Sequence, residues 1–340
     1  MPVSTAIVIL NWNGEKFLRK FLPTLISNTD AEIARICIID NASTDGSVDF
    51  LSKQFPQIQL VRLDNNYGFA GGYNRGLKEI DAKYFMLLNS DVEVGKDWIS
   101  PLVELMENEP TIGICGSKLL DYNNRGKFEY AGAAGGYIDK YGYPFCRGRL
   151  FESIEEDNGQ HDSLSDCLWI SGAALFIRSK LFFDVGGFDD DFFAHQEEID
   201  LCWRVQNFGY RVVCEPKSTI YHVGGGALPK SNPFKTYLNF RNNLYLVLKN
   251  LPNKEVGRVL FVRFFLDMVA AVRMIFQGNF MECHAVFRAY GAFLKNKGKM
   301  KQKRLIVKRK PSSEIIGMYC GSIVFKHFIG KKKTSDEIFR

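Results

Sequence analysis

Residues 87–94 read LLNSDVEV, an apolar run that ends abruptly in Asn89, Ser90 and Asp91. Alternate residues of a strand point to the same side, so Asn89 and Asp91 can present two oxygens to one object. Two kinds of chemistry use such a pair. Asn, Ser and Asp favour turns, because their side chains bond the nearby backbone. A hard cation carrying phosphates is the other use, since Mg2+ takes one or two carboxylates plus phosphate oxygens. Both readings stand on this fragment alone. Downstream, HQEEIDLCWR holds Glu197, Glu198 and Asp200. Asp200 and Arg204 are four apart, acid first, the order that stabilises a helix, which makes Asp200 mainly structural or an orienting group behind a reacting one.

The elements that must position these residues alternate from the start of the chain. TAIVILNW (5–12), ARICIID (34–40), IQLVRL (58–63) and KYFMLLN (83–89) read as strands. Between them lie helical stretches from about Glu15 to Ser27, which Pro23 is expected to kink or shorten, through SVDFLSKQF, and from the glycine-rich GFAGGYNRGLKEI. A further helix is expected from about Lys96. Four apolar runs with helices between them predict an α/β fold built on a mainly parallel sheet. Ligands of such sheets bind beyond the carboxyl ends of the strands, where Asn11, Asp40, Asp64 or Asn65, and Asn89 with Asp91 all fall. GFAGGYNRG does not fit the spacing of GxGxxG and follows the third strand, not the first, which argues against a dinucleotide-binding dehydrogenase. Its glycines permit close backbone approach to a ligand or close packing of helix on sheet.

The chain of 340 residues is 46% hydrophobic, enough for one large domain or two. No cationic leader or small-residue cleavage site precedes AIVIL, so no secretory signal is expected. Eight scattered cysteines without CxxC spacing are expected to be buried thiols. The net charge of +6 conceals an asymmetry: residues 295–310 hold nine Lys or Arg and no acid, and Lys331–Lys333 add three. Without these twelve the remainder carries −6, which does not describe a nucleic-acid binder.

Taken together, VILNWNG, IIDNASTDGS, NNYGFAGGYNRG, LLNSDVEV, the stretch from SGAALFIRSK through HQEEIDLCWR to VVCEP, and YHVGG resemble the family 2 glycosyltransferases, in their rhamnosyltransferase-like branch. The resemblance runs from about residue 4 to 250. It implies a GT-A fold over 1–250, with a donor half at about 1–116 and an acceptor half at about 117–250. It also implies transfer of a sugar from a nucleotide-diphosphate donor to a saccharide acceptor, with inversion at the anomeric carbon.

The same resemblance assigns roles. NSD stands where the family has its DxD-type motif, which makes Asp91 the main carboxylate ligand of Mg2+ or Mn2+ and turns Asn89 toward the donor or a metal-bound water. His222 matches the family's later metal-binding His. Glu198 aligns with the catalytic Asp, one methylene longer, as the base that takes the acceptor hydroxyl's proton. Glu197 is the competing base; the two point about 100° apart on a helix, so both do not reach one hydroxyl. Asp40 matches the residue that binds the nucleotide base, with Asn11 and Asn13 lining the first strand end. Asn74 matches a residue near base and ribose. Arg241 and Asn242 match an Arg-Asn pair of this branch, where an Arg can neutralise diphosphate or hold an anionic acceptor bidentately. Tyr73 replaces an Arg that the family pattern often carries.

Beyond about 250 the resemblance ends, and residues 251–340 are expected to form a helical, basic extension. VLFVRFFLDMVAAVRMIF (259–276) is long enough to span a membrane, but contains Arg263, Asp267 and Arg273. Charges near the centre of a span cost about 2.5–3.5 kcal/mol each on insertion scales, so a helix in the interface or docked on the core is expected instead. The basic run after it is the kind of segment anionic lipid attracts. The expectation is a peripheral enzyme at the inner face of the cytoplasmic membrane, extending a polyprenyl-linked saccharide for a surface polysaccharide. The alternatives are a non-catalytic sugar-nucleotide-binding protein and a nucleotidyltransferase of similar fold. The latter needs a Gly-rich, Lys- and Arg-bearing phosphate loop after strand one, and NWNGEKF is not that loop.

Overall fold

Each early apolar run becomes a strand that ends on, or just before, a polar residue: β1 (Thr5–Asn11), β2 (Ala34–Asp40), β3 (Gln59–Arg62) and β4 (Tyr84–Leu88). In the computed structural model, which describes residues 4–224 and 232–339, these strands lie parallel in the order β3-β2-β1-β4. Their register sets Asn11 beside Asp40 and Ile9 beside Leu88, so the polar ends finish at one level. β1, rich in β-branched residues, is buried on both faces, as strands of a covered parallel sheet are. Ile7 and Ile9 pack in a core with Leu18 and Leu22 of α1 (Glu15–Ser27) and Phe50 of α2 (Ser47–Gln54). Ala6 and Val8 join the opposite core with Ala70 and Tyr73 of α3 (Gly68–Gly76).

α1 runs its full expected length with Pro23 inside it. The glycines of α3 serve packing: a Cβ at Gly76 would lie 2.4 Å from Ile39 Cδ1, and one at Gly72 would lie 2.7 Å from Leu10 Cδ1.

The second half departs from parallel order. After β5 (Val92–Val94), α4 (Ser100–Asn108) starts with Pro101 in its first turn, later than the expected Lys96. β6 (Ile112–Asp121) follows, and then the short strands β7 (Gly136–Asp139), β8 (Pro144–Cys146), β9 (Arg149–Leu150), β10 (Ser153–Ile154) and β11 (Ser165–Asp166). β12 (Ala174–Arg178), α5 (Ser179–Asp184), α6 (Glu197–Asn207) and β13 (Arg211–His222) come next. The main sheet reads β11-β13-β6-β12-β4-β1-β2-β3, with β5 also on β13. β12 is antiparallel to both β4 and β6, and β13 is parallel to β6, so the sheet is mixed. This places the start of β12 at the carboxyl end of β4.

Three helices close the fold: α7 (Pro233–Asn250), α8 (Asn253–Phe276) and α9 (Phe280–Ile306). The basic run expected as a tail is largely the end of α9, where Met300 and Arg304 are buried and Lys303 pairs with Asp189 and Asp191. The chain then returns β14 (Met318–Tyr319) to pair with β7, completing a small second sheet, β10-β9-β8-β7-β14. Ile323 and Ile338 pack there on Phe145 and Leu150. All eight cysteines are free thiols, and only Cys320 is exposed. Among the described residues no helix is long and apolar enough to cross a membrane.

Candidate active site

One wall of the site is the paired end of β1 and β2. Asn11 Nδ2 donates to Asp40 Oδ1 at 3.1 Å and to Ser43 Oγ at 3.0 Å, while Asp40 Oδ2 accepts from the Ser43 amide at 3.0 Å. Asn13, at φ 51°, accepts from the Thr44 amide at 2.7 Å. Both Asn11 and Asp40 are buried. Asn11 Oδ1 turns toward Gly14, where a Cβ would lie 2.4 Å from it, so Asn11 acts as a bracket between the two strand ends. Asn74 does not reach this wall. Its Nδ2 donates to Phe188 O and its Oδ1 accepts from Phe188 N, both at 2.8 Å.

The other wall begins where β4 stops. The Asn89 amide donates to Ala173 O at 3.0 Å, tying the NSD turn to the start of β12. β5 then pairs with β13 so that Val92 lies opposite His222, which brings His222 to Asp91 across 131 residues of chain. His222 Nε2 is 3.2 Å from Asp91 Oδ1 and 3.4 Å from Asn89 Nδ2. Its other nitrogen, Nδ1, lies 3.3 Å from Glu129 Oε1. Burial disfavours the imidazolium, but Asp91 and Glu129 outweigh it and lift His222 to about 10. A cation bound by Asp91 and Nε2 therefore has to displace that proton. The donor set fits a divalent ion: one carboxylate and one imidazole, with room in the shell for diphosphate oxygens. Glu129 behind the imidazole would leave Nε2 as the nitrogen offered to such an ion. Among the described residues no group of three His, Cys, Asp or Glu forms a complete cage. The glycines at 225 and 226 lie outside the described residues.

The carboxylates of HQEEID sit at the first turn of α6, after a contorted stretch. Phe193, His195 and Gln196 all have positive φ, between 63° and 69°. Non-glycine residues rarely adopt this region, and such strain persists only where the surroundings impose it. Asn242 supplies that constraint, donating through Nδ2 to Phe192 O at 3.0 Å, Ala194 O at 2.8 Å and His195 O at 2.7 Å. Arg241 braces the same loop, donating at 3.0 Å to the carbonyls of Asp191 and Phe192. The Arg-Asn pair thus grips the loop that leads into Glu198. Burial lowers His195 to about 4, helped by Lys235.

Glu198 is part-buried, and burial raises its carboxyl to about 7 against backbone amides that favour the anion. Its Oε2 meets no donor among the described residues. Glu197 is buried, and burial together with the Glu198 charge pushes it far above the usual carboxylate range. Glu197 therefore holds its proton, and Glu198 is the carboxyl poised to exchange one near neutral pH. Gly172 stands next to Glu198, where a Cβ would be 3.8 Å from Glu198 Cβ. The 171–173 turn thereby connects Glu198 to the NSD motif through Ala173. Asp200 is fully buried and bonded to Arg204, Lys249 and Asn250, each at 2.8 Å. Burial opposes its charge, but Arg204 and Lys249 hold it below the usual range. It anchors α6 to α7, as the i, i+4 pattern suggested. Sequence reasoning missed Glu129 and Lys249, since neither belongs to a local pattern.

Residues 6–168 match the model described as Glycosyl transferase family 2. Over that span, just under half of its length, the chain is similar to this family. The O-antigen biosynthesis protein RfbC of Myxococcus xanthus is 27% identical over 233 residues, 66% of this chain but only 18% of that protein. An N-acetylglucosaminyl-diphospho-decaprenol L-rhamnosyltransferase of Mycobacterium tuberculosis is 25% identical over 234 residues, 64% of this chain and 75% of that one. Among solved structures, GalNAc-T7 with UDP, GalNAc and Mn2+ superposes with a TM-score of 0.58 at 16% identity, covering 74% of this chain and 48% of that one. The glycosyltransferase fold is the GT-A fold. The family match ends before α6, so Glu198, His222 and the clamp from α7 all lie beyond it.

Proposed function

We propose that this glycosyltransferase moves a sugar, of the rhamnosyl or hexosyl kind, from a nucleotide diphosphate to a saccharide hydroxyl with inversion. Glu198 takes the hydroxyl proton as the acceptor oxygen bonds to C1, and the C1–O bond to the diphosphate breaks on the opposite face. The observation that carries this reading is the Glu198 carboxyl, poised near neutrality with a free oxygen on a strained, clamped turn. Asp91 and His222 would hold a Mg2+ or Mn2+ ion, which neutralises the charge that grows on the leaving diphosphate. Asn11 and Asp40 shape the nucleotide end of the cleft. Asn89, carrying no charge, leaves Asp91 the sole carboxylate of its motif.

Support for a rhamnosyl donor and a polyprenyl-linked acceptor comes from the named mycobacterial relative. That acceptor would confine the reaction to the inner face of the cytoplasmic membrane. The test is Glu198→Gln. The variant should bind nucleotide diphosphate normally and lose roughly 10²–10⁴ in kcat, the range for removing a general base. Full turnover in Glu198→Gln, with loss in Glu197→Gln, would move the base to Glu197. Loss of both turnover and donor hydrolysis in the wild-type protein across a panel of nucleotide sugars would leave only a sugar-nucleotide binder.

A further inference from the structure

α8 is turned inside out. Its inward face carries Val259, Arg263, Asp267 and Ala271, one residue every four, all buried. The polar members are fully satisfied there. Arg263 Nη2 bonds Asp267 at 3.1 Å, its guanidinium lies 3.9 Å over the Tyr143 ring, and Asp267 accepts from Tyr143 and Tyr290 hydroxyls at 2.8 Å. Two of the three charges that argue against a membrane span, Arg263 and Asp267, therefore belong to the face that docks on the protein, while Arg273 stays exposed.

The outward face is aromatic and aliphatic. Phe261, Phe265, Val269, Val272 and Phe276 recur at four, four, three and four residues, the spacing of one helical stripe. Val269 is 68% exposed and Phe276 is 86% exposed. Beyond the turn at 277–279 the apolar surface continues through Phe280 and Met281, 65% and 72% exposed. A soluble surface rarely shows so continuous an apolar face without a partner. Cations frame it: Lys254, Arg258, Arg273, Arg288 and Lys295 are exposed on the same two helices. Only Glu255, bonded to Ser312, and Glu282 oppose them, apart from the Asp267 already neutralised by Arg263.

We propose that the outer face of the α8–α9 hairpin rests on an anionic phospholipid surface, with the phenylalanines at the acyl boundary and the cations among the headgroups. An apolar stripe flanked by cations is the signature of a helix lying in the interface. A second copy of the chain fits less well, because it would bring two cationic rims together. The contact stands without the Proposed function; its use, delivering a lipid-linked acceptor, rests on that reading. The geometry suits that use. Arg263 of α8 reaches Asn243 of α7, while Phe240, nearer the start of α7, packs against the cluster of Ala271, Cys283 and Val286, so α8 folds back along α7. The tip of the hairpin thus lies toward the start of α7, whose Arg241 and Asn242 clamp the turn before Glu198.

The test uses the full chain with vesicles of phosphatidylglycerol or of phosphatidylcholine, in a sedimentation assay. Wild type should bind the anionic vesicles, less as salt rises, because charges at a surface are screened within about a Debye length. Phe265→Ser with Phe276→Ser should weaken that binding at least tenfold, while donor binding and turnover on a water-soluble acceptor are retained. Arg258→Glu with Lys295→Glu should weaken binding to anionic vesicles without changing the soluble reaction. Glu198→Gln should bind vesicles like wild type, which separates failure of this proposal from failure of the catalytic one. Unchanged vesicle binding in the double phenylalanine variant overturns the proposal. A lipid-free dimer dissolved by the same two substitutions overturns it too, and assigns the face to a second copy.

Discussion

The two walls of the candidate site are built differently. At the first, polar residues end neighbouring parallel strands, and bonds such as Asn11 to Asp40 fix them. At the second, Glu198 begins α6 just after a turn whose three positive-φ residues are held from α7, nearly fifty residues further along the chain. On the first side both oxygens of Asp40 and the Asn11 Nδ2 are paired within the protein, although Asn11 Oδ1 is not. On the second side Glu197 and Glu198 each keep an unpaired buried oxygen. Holding a nucleotide asks for a rigid, satisfied frame, whereas taking a proton near neutral pH asks for a carboxyl that its surroundings do not stabilise as an anion.

The sharpest way to break this contrast is Asp91→Ala. It should abolish metal-dependent binding of nucleotide diphosphate, read by calorimetry with and without Mn2+; persisting turnover in the presence of a chelator would refute the metal role. Next in size, Glu129→Gln should raise the Mn2+ concentration for half-activity by about 10–100-fold, the usual cost of losing the group behind a ligating His. Asn242→Leu should follow. Three carbonyls lose their donor, and a buried unsatisfied polar group costs about 1–3 kcal/mol. We expect a lower kcat with the donor's KM little changed, and equal falls in both would deny that Asn242 acts on the base alone.

Two pH effects complete the set. Because the base must be ionised, kcat/KM should rise with pH through about 7. Stability should move the other way. Glu198 keeps its proton in the fold to about 7 but loses it at about 4.3 when unfolded, so its burial increasingly favours unfolding as pH rises between those values. Glu198→Gln should therefore melt higher than wild type at pH 8 and show a smaller difference at pH 5. A pH-independent difference would mean that burial does not govern this carboxyl.

The donor side was legible because its signals are local: apolar runs of strand length, polar ends, and the i, i+2 pair at Asn89 and Asp91. That these strands run parallel follows from such runs separated by helices, whereas their order, β3-β2-β1-β4, does not. Glu198 and Asn242 were named from family resemblance, which gave no hint that Asn242 bonds the backbone just before Glu198. Arg241 and Asn74 were read toward the donor, yet both bond the 186–195 loop, a contact that no spacing reveals. Glu129 lies in the irregular stretch between β6 and β7 and gains its meaning only from the β5–β13 pairing. Arg263 and Asp267 looked like interruptions of an apolar helix because sequence alone does not say which face is inside. The glycines of α3 could be read two ways, and Leu10 and Ile39 decide for packing at two of them.

The pairing of β14 with β7 has a consequence for synthesis of the chain. Met318 and Tyr319 meet Ile138 and Asp139, and Ile338 packs on Phe145, so partners made early wait for residues made nearly two hundred positions later. The strands β1 to β4 need nothing so distant and are free to assemble while translation continues. On the ribosome, then, a nascent chain should hold its nucleotide frame before the far wall of its cleft exists, and Phe145 and its neighbours should stay open to protease until the last stretch emerges. Proteolysis of chains stalled before and after residue 320 would read that order directly.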